Sequence, residues 1–213
     1  MINAIFFDLD GVLTTDAKGS LTMSRNLCEE VPRLSPQEVL ACYRADIELL
    51  NLGERMFHDV WQRLCSTFNI PDDQKLQNDM LRKVPWNDAM LELARSLQSH
   101  FVLGIITDNC RERMDVLTAE MNLGDLFDPI VVSAIEHASK CDGTTRIFDA
   151  ALDRAGCKAE ETLFIDNQER NLTTPRNMGM HTYWHDDAKN DVAELRRALG
   201  DLGIETQSNS PQH

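Results

Sequence analysis

The stretch Ile5-Phe6-Phe7-Asp8-Leu9-Asp10-Gly11-Val12 decides the fold. It is a short apolar run that ends in two carboxylates one residue apart, with glycine directly behind them. An apolar run bounded by a turn residue reads as a buried parallel strand. In a twisted α/β sheet, ligands bind just past the carboxyl ends of such strands. Two acids at that point are costly to bury unless they do chemistry or bind a cation. Side chains alternate along a strand, so Asp8 and Asp10 share one side if the extended geometry persists. One can then serve as nucleophile and the other as proton donor. The plainer alternative is a strand running into an acidic turn.

Working outward, similar apolar runs recur at 101–106, 130–132, 162–165 and about 180–184, and helical patterns at 88–99, 111–122, 146–155 and 171–178 separate them. Alternating strand and helix predicts an α/β fold, a doubly wound, Rossmann-like parallel sheet with helices on both faces. Gly179 is placed as a helix C-cap before the last strand. From about 15 to 84 the alternation stops and only helices are expected. Ser35-Pro36-Gln37-Glu38 is a capping box with proline at the first helical position, opening a helix to about 52 that Gly53 stops. A second helix is expected over 54–68, with Phe57, Trp61, Leu64 and Phe68 at helical spacing, read as packing between helices. Pro71 opens a third, to about 83. Lying between the first and second strands, this helical block is an insertion over the ligand-binding edge and is placed to act as a lid.

The chain has 213 residues, room for one sizeable α/β domain carrying a smaller insertion. Its formal net charge of −14 argues against nucleic acid or an anionic membrane surface as a partner, and means that a phosphate site needs its own local cations. The six cysteines include no C-x-x-C pair, and no apolar stretch approaches the length of a membrane span, so free thiols and a cytoplasmic address are expected. The polar, aperiodic segment 204–213 reads as a disordered tail.

The residues just past each later strand carry the chemistry. Thr107, Asp108 and Asn109 come after the second, Ser133 and then Lys140 after the third, and Asp166 and Asn167 after the fourth. Two acids, a hydroxyl, a lysine and a further acid are the parts needed for phosphoryl transfer through a covalent aspartyl phosphate, with a cation to neutralise the crowded negative charge.

These four segments, in this order, resemble the motifs of the haloacid dehalogenase superfamily, and the resemblance runs through the whole core. Asp8-Leu9-Asp10-Gly11-Val12 resembles the first motif, Thr107 the second, Lys140 the third and Phe164-Ile165-Asp166-Asn167 the fourth. The resemblance implies that Asp8 attacks phosphorus and that Asp10 protonates the leaving alcohol and then deprotonates water. It implies that Thr107 and the backbone around Asp108 and Asn109 hold phosphoryl oxygens, with Lys140 pairing Asp8 and the phosphoryl group. It further implies that Asp8, the Asp10 backbone carbonyl and Asp166 bind Mg²⁺, with Asn167 behind them. An all-oxygen set suits that hard cation.

Three departures stand out: Asn167 occupies the place of a common aspartate, Asp108 adds an anion beside the phosphate site, and Cys141 follows Lys140 where a proline is usual. His137 is expected to be a solvated loop residue, and Arg44, Glu48 and Arg55 surface charges. The presence of Asp10 argues against a carbon–halogen hydrolase, which needs no second acid. A phosphatase acting on a small phosphorylated metabolite (a sugar phosphate or nucleotide) is the first expectation. A phosphomutase of the same fold, or a catalytically weak binding module, is the alternative. The domain expectation is a core of 1–14 and 85–203 with a helical cap at 15–84, as monomer or homodimer.

Overall fold

The computed structural model describes residues 1–205. Among these, five parallel strands form one sheet: β1 (Ala4–Phe7), β2 (Val102–Thr107), β3 (Ile130–Val132), β4 (Thr162–Asp166) and β5 (His181–Trp184), in the order β3-β2-β1-β4-β5. β1 is the middle strand, and all its residues are buried because helices cover both faces. That is why its sequence is apolar without alternation. One face is closed by a cluster that includes Ile5, Phe7, Ile105, Ile165 and Phe127, the other by Phe6, Ile106, Phe164 and Phe148. Phe7 meets Phe127, and Phe148 meets Phe164, edge to face.

The register carries the site. Phe7 is level with Ile105 and with Ile165, so one residue further on Asp8 stands beside Asp166, and the Asp8 N–H donates to the Ile165 carbonyl at 2.9 Å. The strand ends that the sequence set far apart are thereby brought to one edge.

The helical block consists of α1 (Gly19–Glu30), α2 (Pro36–Tyr43), α3 (Ile47–Asn51), α4 (Phe57–Phe68) and α5 (Gln74–Arg82). It has its own apolar cluster, including Leu27, Tyr43, Phe57, Trp61, Leu64 and Met80. The expected capping box forms: Ser35 Oγ accepts from the Glu38 N–H, and Glu38 accepts from the Ser35 N–H. The helix expected to run on to 52 breaks after Tyr43. The break turns Asp46 inward, where Arg55 and Arg63 pair with it, so Arg55 is tied down rather than a free surface charge. The third helix starts later than expected because Asp73, not Pro71, caps it through the Leu76 N–H.

Both connections to the block run side by side. The Thr15 N–H donates to the Pro85 carbonyl at 2.8 Å and the Asn87 N–H to the Leu13 carbonyl at 2.9 Å, an antiparallel pairing centred on Thr14 and Trp86.

The remaining core helices are α6 (Asp88–Leu97), α7 (Arg111–Met121), α8 (Ser133–Glu136), α9 (Arg146–Ala155), α10 (Thr173–Asn177) and α11 (Val192–Asp201). The pattern at 171–178 splits into a tight turn, Glu169–Leu172, followed by α10, since Pro175 has no N–H to offer a helix begun at Asn171. The tail expected from 204 lies outside the described residues from 206 onward, and Ile204 itself is buried against the core. No helix among the described residues is long and apolar enough to cross a membrane.

Candidate active site

β1 delivers Asp8 to the sheet edge, and the chain then folds into a wide turn in which the Thr14 N–H donates to the Leu9 carbonyl. Plain strand alternation therefore ends at Asp8, and Asp10 is carried by the turn. Asp8 is 4 % exposed; its Oδ1 accepts from the Leu9 N–H at 2.7 Å, and its Oδ2 lies 2.8 Å from Lys140 Nζ. Lys140, 1 % exposed, also reaches Asp166 Oδ2 at 2.7 Å. Burial pushes the Asp8 carboxyl well above its usual range, against the pull of Lys140. Burial also works against the Lys140 ammonium, but the charges of Asp166 and Asp8 outweigh it and hold the amine charged above its ordinary value.

Asp10 faces away from that pair, toward α7. Arg113 grips it with two bonds, Nη1 to Oδ2 at 2.7 Å and Nη2 to Oδ1 at 2.8 Å. Asn109 adds a third through Nδ2 at 3.2 Å, and its own Oδ1 accepts from Arg113. Sequence reasoning misses Arg113. The signal present in the chain is its place in the first turn of the helix that opens just after Asn109, which brings it back to the end of β2.

Thr107 closes β2, 1 % exposed, with Oγ1 within 3.4 Å of Asn109 Nδ2. The Asn109 N–H is already committed to Ser133 Oγ at 3.0 Å. The anion added by Asp108 is turned to a structural use: its Oδ1 accepts the Lys140 N–H at 3.0 Å, which fixes the lysine loop despite the unusual Cys141 behind it. Burial raises the Asp108 carboxyl. His137, exposed as expected, is not merely solvated, since its Nδ1 lies 2.8 Å from the Leu52 carbonyl of the helical block.

At the fourth strand end the structure differs from expectation. Both oxygens of Asp166 are occupied: Oδ1 accepts from the Gln168 N–H and from Asn171 Nδ2, and Oδ2 from Lys140 and Asn171. Two buried amide oxygens here have no partner, Asn171 Oδ1 and that of Asn167. Its amide Nδ2 donates to Asp187 at 3.3 Å and Trp184 Nε1 donates to its backbone carbonyl, while Oδ1 has no hydrogen-bond donor. The Asn167 side chain lies against Gly11, next to Asp10. Among the described residues, no group of three or more His, Cys, Asp or Glu side chains could hold a metal ion. A cation here therefore has to draw on backbone and amide oxygens and on substrate. At the strand ends Asp8, Asp10, Asp108 and Asp166 stand against Lys140 and Arg113, while Lys18, Arg170 and Glu169 add two cations and one anion to the cavity there.

Asp8, Asp10, Thr107, Asp108, Asn109, Arg113, Lys140 and Asn171 line this cavity of about 580 Å³, whereas Asp166 and Asn167 are not among its lining residues. Its floor is Asp8, Asp10, Thr107 and Lys140, and the helical block supplies the opposite wall with Lys18, Met23, Tyr43 and Asn51. Burial raises the Tyr43 phenol to about 12, so it remains a neutral donor, and it donates to the Ser20 carbonyl at 2.5 Å.

A parallel sheet with acids, a hydroxyl and a lysine converging past its strand ends defines a class of hydrolases. The family model for haloacid dehalogenase-like hydrolases matches residues 5–185, and the chain belongs to that family. It is 27% identical over 197 residues to the glyceraldehyde 3-phosphate phosphatase of Pyrococcus abyssi, an alignment covering 86% of this chain and 81% of the relative. Among solved structures, a predicted HAD-like family hydrolase from Porphyromonas gingivalis superposes with a TM-score of 0.64 at 22% identity, over 93% of this chain and 98% of that one. A HAD family enzyme from Bacteroides thetaiotaomicron, in complex with magnesium and inorganic phosphate, gives a TM-score of 0.65 at 17% identity, over 92% of this chain and 100% of that one.

Proposed function

We propose that this hydrolase is a Mg²⁺-dependent phosphatase of small phosphate monoesters, working through an aspartyl phosphate on Asp8. The observation that carries the reading is Asp8 Oδ2 held 2.8 Å from Lys140 Nζ on the cavity floor, with Asp10 two residues further on. The phosphatase name of the Pyrococcus relative and the magnesium and phosphate of the Bacteroides structure point the same way.

Asp8 attacks phosphorus as the ester P–O bond breaks, and Asp10 gives its proton to the leaving alcohol. The Lys140 ammonium pulls Asp8 toward its ionised form and offsets the repulsion between carboxylate and phosphoryl group; Thr107 donates to a phosphoryl oxygen. Asp10, now a carboxylate, takes a proton from the water that attacks the aspartyl phosphate, which frees inorganic phosphate and restores Asp8. Mg²⁺ would be held by Asp8, the Asp10 backbone carbonyl and the Asp166–Asn167 end of β4, where Asn167 Oδ1 and Asn171 Oδ1 are oxygens without a donor. When bound, it supplies positive charge to the phosphoryl oxygens. Asp108 and Asn109 serve through their positions, bracing Lys140 and Asp10.

Residues 15–84 act as a helical cap on a core of 1–14 and 85–203, with the paired connections at 14–15 and 85–87 as its hinge. A closing cap suits a small ester such as a sugar phosphate over a phosphoprotein, and the free cysteines fit a reducing cytoplasm. The test is phosphate release from a panel of small esters, with Mg²⁺ and with chelator, beside Asp8→Asn. Turnover that needs the metal and vanishes in the variant supports the reading; no release from any ester, or full activity in the variant, overturns it.

A further inference from the structure

Arg113 is the largest charged side chain sealed in the molecule, 1 % exposed, and the proposed mechanism leaves it without a task. Its two terminal nitrogens are committed to Asp10 and Asn109, and its Nε is buried with no partner at all. A buried arginine that gives up one hydrogen bond to keep a two-point grip on one carboxylate is arranged for that carboxylate. Bidentate pairing fixes orientation as well as charge. Stability alone is a weak reason for such a pair, since burying two ions costs much of what their attraction returns.

The pair also has a cover. Gly19, the first residue of α1, lies so close that a Cβ there would sit 2.2 Å from Arg113 Nη1 and 2.6 Å from Asp10 Oδ2. α1 follows directly on the first connection into the helical block. The groove holding Asp10 is thus made by α7 of the core on one side and the start of the block on the other.

We infer that Arg113, with Gly19 as its cover, is the positioning residue for Asp10: it sets the aim of the proton donor and stabilises the carboxylate left when the proton has gone. This rests on the phosphatase reading, in which Asp10 gives its proton to the leaving oxygen. The carboxylate so formed is the species that Arg113 grips in the structure, and it is also the one that later accepts a proton from water. Because Gly19 opens α1, the aim of Asp10 depends on where the helical block sits.

The test separates an ester that needs a proton donor from one that does not. p-Nitrophenolate leaves without protonation, whereas an alkoxide from glycerol 3-phosphate must be protonated as it departs. kcat/KM for both esters, at saturating Mg²⁺, reports the steps up to phosphoryl transfer to Asp8 and excludes later attack by water. Arg113→Lys and Gly19→Ala disturb Asp10 from opposite sides. Alanine suits a helix, and its Cβ presses on the Arg113 guanidinium and the Asp10 carboxylate and not on backbone, so Gly19→Ala carries the test if Arg113→Lys fails to fold by circular dichroism. Each variant is expected to lose roughly ten- to hundredfold more kcat/KM on glycerol 3-phosphate than on p-nitrophenyl phosphate, a part of the roughly 10²–10⁴-fold that general acid catalysis supplies. Asp10→Asn sets the benchmark for that selectivity. A parallel loss on both esters makes Arg113 merely structural and overturns the inference, with the phosphatase reading intact. Where the wild type does not turn over glycerol 3-phosphate, an alkyl ester that it hydrolyses in the panel takes its place, and a wild type inactive on every ester of the panel overturns that reading and the inference with it.

Discussion

Lys140 Nζ lies 2.8 Å from Asp8 Oδ2 with both side chains almost wholly out of water, and Asp166 holds the lysine from the far side at 2.7 Å. One ammonium thus serves two buried carboxylates. The arrangement stores a nucleophile at the expense of stability, and that trade is measurable.

Asp8→Asn is expected to stabilise the metal-free protein while removing turnover. Burial raises the Asp8 carboxyl on folding. A carboxyl raised in this way carries no penalty below its unfolded value and an increasing one as pH rises toward its folded value. Relative to Asp8→Asn, the wild type should therefore lose stability between pH 4 and pH 7, by about 1–2 kcal/mol, or roughly 2–8 °C at this length. Thermal melts of both proteins in chelator at the two pH values check this. A variant that melts lower than wild type at pH 7 would contradict it.

Lys140→Met should do the opposite. It leaves Asp8 and Asp166 buried together with no cation between them, a loss of the size seen for broken buried pairs, about 3–5 kcal/mol. Adding Asp8→Asn to the same chain should restore part of that loss, because the two sites share one interaction. Denaturant unfolding of the single and double variants reads the coupling, and strictly additive losses would remove it.

Asn167→Asp should tighten binding of a divalent cation by about tenfold, since it puts a charge where an unpartnered amide oxygen now stands. Calorimetric titration with Mn²⁺ measures this independently of turnover. The same variant, without metal, should melt below wild type, because it adds a further carboxylate beside Asp8, Asp10 and Asp166. Unchanged Mn²⁺ affinity would place the cation elsewhere.

Gly53→Ala tests the contact between the helical block and the lysine loop. Gly53 has φ +68°, and a Cβ there would lie 2.2 Å from the backbone carbonyl oxygen of Ala134 in α8. The left-handed conformation alone costs an alanine about 1–2 kcal/mol, and a backbone oxygen cannot swing aside as a side-chain tip can. The melting temperature should fall and ester hydrolysis with it, since α8 leads into the Lys140 loop. A variant indistinguishable from wild type in both would show that this contact is slack.

Much of the fold is legible in the chain because it is written in local patterns. The run at 4–7 had to be a strand buried on both faces, and Ser35 with Glu38 had to open a helix; both signals act over a few residues. The helix breaks at Tyr43 and before Thr173 are not legible in this way. The first turns on two distant arginines reaching Asp46, the second on a turn that donates to Asp166 before Pro175.

The sequence by itself determined which strand ends carry Asp8, Thr107 and Asp166 and that Lys140 follows the third strand, and the parallel order of the strands brings those residues to one edge. Only the tertiary structure decided how they divide the work. The oxygens of Asp166 are taken by Lys140, Gln168 and Asn171, Asp108 braces the Lys140 loop, and Asp10 lies in the grip of Arg113 beneath Gly19. The physical reason is that strand and helix patterns repeat over two to four residues, whereas a carboxylate's partner is whichever donor lies within about 3 Å after the whole chain has packed.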